Sequence, residues 1–70
     1  SGFVVFVDKV GAVDPKIHTS DCFYYTTRKK DAETTFWRGP YKTFSDAWKV
    51  CFEHALGQGR IPQTHDCVGK

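Results

Sequence analysis

The stretch at residues 43–56 reads TFSDAWKVCFEHAL, and it decides the fold because it carries the clearest helical pattern in the chain. Thr43 is a typical N-cap, and Asp46 three residues later completes a capping-box-like pair that satisfies free amides at the positive end of the helix dipole. Apolar side chains recur at helical spacing on one stripe, with Phe52 beside it: Phe44, Ala47, Trp48, Cys51 and Ala55. We therefore predict a helix over residues 43–56 that packs this stripe on a sheet and ends before Gly57.

The chain before this helix has the composition of short strands. Residues 3–7 read FVVFV, a β-branched and aromatic run too short for a helix, so they predict a buried strand that can extend to Val10. Further strands are expected at residues 16–19, 22–27 and 34–38, with a charged hairpin tip at residues 28–33. Gly39-Pro40 is expected to end the last of these, since proline is tolerated only at a sheet edge or a strand end.

The elements together predict an α+β fold, in which a small antiparallel β-sheet packs against one C-terminal α-helix. The tail from Ile61 to Val68 is expected to be extended or looped. Seventy residues allow one small domain over residues 1–70. The start Ser1-Gly2 is typical of a protease cleavage scar, which suggests a domain excised from a larger protein or a tagged chain.

Composition excludes several classes of protein. A chain that is 40% hydrophobic and 16% aromatic is too rich in apolar residues to be disordered. The longest apolar run, residues 3–7, is too short to cross a membrane. The net charge of +2 is only mildly basic, so charge alone does not indicate a strong phosphate binder. Three cysteines are too few for a secreted, disulfide-rich fold, and an odd number cannot all form pairs. The cysteine count therefore favours an intracellular, cytoplasmic origin.

A core of this size needs reinforcement, and two histidine–cysteine motifs could supply it. A core of this size usually gives a net folding stability of only about 3–5 kcal/mol. His18 and Cys22 form an H-x-x-x-C motif, and His65 and Cys67 form an H-x-C motif after the helix. Zinc prefers four thiolate and imidazole ligands, and a site with four protein ligands is structural. A Cys22–Cys67 disulfide, worth about 4 kcal/mol in the chain-entropy model, is the second interpretation. Unlinked cysteines with surface histidines are the third.

Two other residues of the helix could be ligands but have simpler expected roles. Cys51 lies in the middle of the apolar stripe, where cysteine behaves as a small hydrophobic residue, so it is expected in the core. His54 lies at the edge of the stripe in the last part of the helix. It is expected to interact with the helix dipole or the terminal carbonyls, and a substitute metal ligand is the alternative.

The order of these motifs resembles a known class of module. A strand, the H-x-x-x-C motif, a hairpin, the TFSDA helix start and a terminal cysteine cluster are together similar to small zinc-binding modules of the Ada amino-terminal type. Similar H-x-x-x-C modules are appended to some bacterial nucleases. In the Ada-type pattern a C-x-x-C pair stands at the end, and one cysteine accepts a methyl group from DNA phosphate. This chain has His65-Asp66-Cys67 instead. The resemblance thus implies only the zinc scaffold, with the ligands His18, Cys22, His65 and Cys67.

Cations and aromatics alternate around the predicted hairpin, a pattern typical of surfaces that bind phosphates or single strands. The candidate nucleic-acid-binding residues are Arg28, Lys29, Lys30, Trp37, Arg38 and Lys42. We expect a non-catalytic, zinc-stabilised module that presents this basic aromatic hairpin to nucleic acid. The alternative is a protein-interaction or scaffold domain that needs no metal, since aromatics also pack cores and edge cations prevent strand pairing. The sequence has no phosphate loop or nucleophile elbow to indicate an enzyme.

Overall fold

The computed structural model describes residues 2–28, 30 and 32–69. In chain order the elements are β1 (Phe3–Asp8), β2 (Lys16–Thr19), α1 (Phe23–Thr27), β3 (Thr35–Tyr41), α2 (Phe44–Gln58) and β4 (Gln63–Thr64). The strands form one four-stranded sheet in the order β3-β1-β2-β4. The predicted α+β class is confirmed. In the part of the chain that the structure describes, no helix has the length and apolar character needed to cross a membrane.

Strand β1 lies inside the sheet and is covered on both faces. Val5 and Val7 point towards α2 and belong to the main core, whereas Val4 points the other way and is also fully buried. This two-sided burial explains the unbroken apolar run, because successive side chains of a strand point to opposite faces. The strand ends at Asp8 rather than extending to Val10, since the Asp8 carboxylate accepts the Val10 N–H in a turn.

The pairing of β1 with β2 determines which side chains face α2 and which face away from it. Val5 lies opposite Ile17, so both face α2, and Val4 lies opposite His18, so both face away from it. We call the side away from α2 the second face of the sheet. Its residues, assigned from strand register, are Val4, Phe6, Lys16, His18 and Trp37.

The sheet is mixed, not wholly antiparallel as predicted. The tail after α2 returns alongside β2 in the same direction, and its two-residue strand β4 pairs in parallel with Lys16 and Ile17. A further segment therefore follows α2, which is not strictly C-terminal. The parallel pairing carries the end of the chain to the second face.

The prediction of a strand at residues 22–27 is wrong, because the short helix α1 occupies this position. The Tyr24 ring centroid lies 5.1 Å from that of His65, and the Tyr25 centroid lies 5.1 Å from that of Trp37. A strand would send these neighbouring tyrosines to opposite faces, whereas one turn of helix brings both to the second face. The predicted β-hairpin is consequently wrong, because its first arm is a helix and not a strand.

Strand β3 continues through Gly39-Pro40 to Tyr41 instead of ending before them. It is an edge strand, where the missing N–H of Pro40 is tolerated. Phe3 lies opposite Tyr41 and Val5 opposite Arg38, so β3 contains an extra residue here, as in a β-bulge.

Helix α2 begins as predicted, with the Thr43 hydroxyl accepting the Asp46 N–H at 3.1 Å. It ends at Gln58, with Gly59 as a C-cap whose φ of 67° is left-handed, so Gly57 lies inside the helix. The residues that it buries are the small ones, Ala47, Cys51 and Ala55, because small side chains allow a helix to lie close to a sheet. The predicted stripe is too wide: its large members Phe44 and Trp48 stay 37% and 39% exposed, and Phe52 beside it is 47% exposed.

Candidate metal centre

Three parts of the chain bring the four candidate ligand residues to the second face. His18 lies on β2, Cys22 is the N-cap of α1, His65 directly follows β4, and Cys67 lies in the turn after it. We call these residues the His/Cys cluster. Their candidate ligand atoms all lie within 4.8 Å of one another, so the cluster could hold a metal ion.

The separations within the cluster fit tetrahedral zinc. The Sγ atom of Cys22 lies 3.5 Å from His18 Nδ1 and 3.9 Å from His65 Nδ1, and Cys67 Sγ lies 4.0 Å from His18 Nδ1. Zn–S and Zn–N bonds of about 2.3 and 2.0 Å at tetrahedral angles place sulfur and nitrogen about 3.5 Å apart. These three separations are therefore within about half an ångström of that value.

His18 is held neutral, which is the form that binds metal. It is 5% exposed, and its ring stacks on that of His65 with centroids 4.4 Å apart. Burial, and then the charges of His65, Lys16 and Arg28, lower the pKa of His18 to about 4. The imidazole consequently keeps an unprotonated nitrogen at neutral pH.

The two thiols and His65 are oriented by backbone amides. The Thr19 N–H donates to Cys67 Sγ at 3.3 Å, and the Cys67 N–H donates to His65 Nδ1 at 3.1 Å. The second of these bonds engages the lone pair of His65 Nδ1, so His65 would bind a metal through Nε2, or through Nδ1 once this bond is released. Burial raises the pKa of the Cys22 thiol, and the neighbouring Cys67 raises it further. A bound cation would replace the thiol protons, since the thiolate is the metal-binding form.

The other two candidate ligands lie outside the cluster. Cys51 is fully buried in the core, and its Sγ donates to the Pro15 carbonyl at 3.4 Å, so its predicted packing role is confirmed. The His54 ring packs edge-on against Phe36 with centroids 5.6 Å apart. Burial, and then the charge of Arg38, lower the pKa of His54.

The predicted nucleic-acid residues divide between the two faces of the sheet. Arg28 lies over the Tyr24 ring at 5.1 Å, Lys30 lies over the Tyr25 ring at 4.4 Å, and that tyrosine contacts Trp37 on the second face.

Arg38 and Lys42 do not join this group. Arg38 lies opposite Val5 on the α2 side, 5.2 Å from the Phe36 ring, because it is one residue out of phase with Trp37. Lys42 is exposed beyond the end of β3. Lys29 lies outside the described residues.

Sequence reasoning missed two residues of this surface, Phe6 and Lys16. They lie opposite each other on β1 and β2, and the Phe6 ring meets Trp37 edge-on with centroids 5.1 Å apart. The signal was available in the alternation of FVVFV, because a strand with Val5 and Val7 in the core must point Phe6 away from it. These side chains help line a groove of about 560 Å³ that also reaches His18, Tyr24 and Arg28.

Comparisons with known proteins give no relative: no family model, no curated protein and no solved structure matches this chain. The resemblance to Ada-type zinc modules stays a prediction. The His/Cys cluster is assigned from its donor atoms and their geometry.

Proposed function

We propose that this chain is a non-catalytic, zinc-stabilised module whose second face binds nucleic acid. One observation carries the proposal: the His18 ring of the His/Cys cluster lies 5.1 Å, centroid to centroid, from the Trp37 ring. The candidate metal centre and the cationic aromatic surface are therefore adjacent parts of one face. An ion that fastens the first would also hold the second in shape.

The role of zinc follows from the thin core. Structural zinc contributes an apparent folding free energy of about 10–16 kcal/mol, more than a core of this size provides by itself. Ligands from β2, the start of α1 and the tail would tie α1 and the end of the chain to the sheet. Four protein ligands leave no open position for a substrate or an activated water, which supports a structural and non-catalytic role.

The charge of the second face supports an anionic ligand. Lys16, Arg28 and Lys30 lie on or beside it, next to aromatic rings. The acidic residue that lines the groove, Asp14, is already engaged by Arg60 at 3.7 Å. Cations beside exposed aromatics are the combination that binds phosphates and bases together.

The experiment measures binding of a fluorescent oligonucleotide to the zinc-loaded protein by anisotropy over a series of salt concentrations. We expect affinity to fall as salt rises, and the double variant Arg28→Glu, Lys30→Glu to flatten this dependence. Lys49→Glu, on the exposed side of α2, is a control for charge reversal away from the second face and should bind as the unaltered chain does. Binding that ignores salt, or an equal loss in the control, would reject the proposal.

A second candidate function, a protein-interaction module, is favoured by the outer side of α2. Phe44, Trp48, Phe52 and Leu56 follow one another at four-residue spacing and are 37–70% exposed. This candidate predicts no affinity for oligonucleotides even at low salt. It also predicts that Trp48→Gln abolishes binding to a protein partner while zinc content is unchanged.

A further inference from the structure

We propose that the groove on the second face takes an unpaired nucleobase, so that the nucleic acid bound is single-stranded. This inference rests on the proposed function and narrows its ligand. It concerns the groove between Phe6, Trp37 and Tyr24.

The shape of the groove selects for an unpaired base. Its volume of about 560 Å³ lies in the range of small-molecule sites, about 300–1,000 Å³. A duplex keeps its bases stacked inside and offers proteins its backbone and grooves, which are read by a projecting helix or ribbon. A concave site of this size offers no such projection, but it can accept one base that is free to leave its stack.

The walls of the groove offer stacking surfaces. The Phe6 and Trp37 rings meet at 63°, so they present faces in two directions, and both side chains are only partly buried. Tyr24 is 44% exposed, and its ring centroid lies 6.1 Å from that of His18 and 5.1 Å from that of His65. Partly exposed rings in a concave site stack on bases of any sequence, because every base has an aromatic face.

Two cations are placed for the phosphate that accompanies such a base. Lys16 lies opposite Phe6 across the β1–β2 pair, and Arg28 lies over Tyr24. Within residues 2–28, 30 and 32–69, the structure pairs neither cation with a carboxylate. Base and phosphate would thus meet an aromatic wall and a positive charge at once.

The groove offers little to distinguish one base from another. The side-chain amide that lines it, Gln63, already donates its Nε2 to the Asp14 carboxylate at 3.3 Å. Sequence-specific reading needs donors and acceptors aimed at base edges, whereas stacking tolerates any sequence. We therefore expect binding with weak base preference.

Trp37 is a built-in probe for this proposal. The chain has two tryptophans, and Trp48→Phe removes the one on α2, so that the remaining fluorescence reports on the groove. Zinc-loaded Trp48→Phe protein is titrated with a single-stranded DNA oligonucleotide, its RNA equivalent and the DNA duplex, with anisotropy followed in parallel. We expect quenching of Trp37 by the single strands and at least tenfold weaker binding of the duplex. The DNA and RNA titrations establish which kind of single strand is preferred.

Two variants separately test the aromatic wall of the groove and the cation beside it. Phe6→Leu keeps an apolar side chain but removes the ring, and it should weaken single-strand binding about tenfold while leaving duplex binding unchanged. Lys16→Gln should reduce the salt slope of single-strand binding by about one. Zinc content and circular dichroism of each variant establish that it is folded. If Phe6→Leu does not fold, the salt slope of Lys16→Gln and the quenching of Trp37 still test whether a base occupies the groove.

The outcomes separate this inference from the proposed function. If duplex and single strand bind equally and Trp37 is not quenched, the groove does not bind a base, but the proposed nucleic-acid function stands. The absence of any binding by anisotropy at low salt would remove the proposed function, and the inference with it. Quenching that survives unchanged in both variants would also overturn the groove, because the base would then lie elsewhere.

Discussion

His65 donates its backbone N–H to the Ile17 carbonyl at 2.8 Å, and this bond sets the tail of the chain beside the strand that carries His18. It continues the parallel pairing of β2 with β4 by one residue. The imidazoles consequently stack, although they are far apart in sequence. The convergence of the two histidine–cysteine motifs is thus a product of the backbone of β4.

The first prediction concerns the three cysteines. Cys22→Ser and Cys67→Ser should each abolish stoichiometric zinc binding, measured by native mass spectrometry, because serine is a poor zinc ligand. Each should also lower the melting temperature to that of the wild-type chain treated with a chelator.

Cys51→Ala is the control, since Cys51 is also a free cysteine but packs in the core. It should keep one zinc ion per chain and lose only about 1 kcal/mol of stability from the cavity. If Cys22→Ser retained zinc, or if a chelator left the melting temperature of the wild-type chain unchanged, the His/Cys cluster would not be a structural metal centre.

The sequence predicted much of this site because its chemistry is local. The H-x-x-x-C and H-x-C motifs and the capping pair Thr43 and Asp46 depend on spacing within a few residues. Cys51 could be assigned to the core because helical periodicity separates it from the polar side. Strands β1 and β2 were recognisable for the same reason, as runs with β-branched residues.

The features that could not be predicted from the sequence depend on contacts between residues distant in sequence. Tyr24 and Tyr25 favour strands by propensity, but rings on the second face hold them on a helix. Strand β4 has two residues, which is too short to leave a pattern. The division of Trp37 and Arg38 between two faces depends on the register with β1.

A second prediction tests the start of α2. Thr43→Ala should lower the free energy of unfolding of the zinc-loaded protein by about 1 kcal/mol, because the Asp46 N–H loses its acceptor. Thr43→Ser keeps the hydroxyl and should cost only a fraction of that. The measurement is urea denaturation followed by circular dichroism, and equal losses for the two variants would show that the hydroxyl does not cap the helix.

A third prediction concerns pH and His54. Its folded pKa is lowered by burial and then by Arg38, while Glu53 raises it, so the fold favours the neutral ring. The unfolded chain takes up the proton first as pH falls. The contribution of His54 is therefore complete above its unfolded pKa of about 6.5 and is lost as pH falls from there through the lower folded pKa.

Titration of the His54 ring protons by NMR checks this with two opposed variants. Arg38→Gln removes a neighbouring positive charge and should raise the pKa of His54, whereas Glu53→Gln removes a negative one and should lower it further. Shifts of the same sign in both variants would contradict the assignment of these two charges.

The last prediction uses two glycines whose substitution should have opposite effects. Gly39 has a φ of 104° at the irregular part of β3, and a Cβ there would lie 2.9 Å from the Phe3 carbonyl oxygen. Gly39→Ala therefore meets both backbone strain and a clash with β1, and it should destabilise the chain by more than about 1 kcal/mol. Gly57 lies within α2, where a Cβ would have nothing within 4 Å. Gly57→Ala should stabilise the chain by about 0.5–1 kcal/mol, because alanine loses less backbone freedom in a helix. Urea denaturation of both zinc-loaded variants measures the sign of each change in unfolding free energy. A stabilising Gly39→Ala would show that β3 does not approach Phe3 as described.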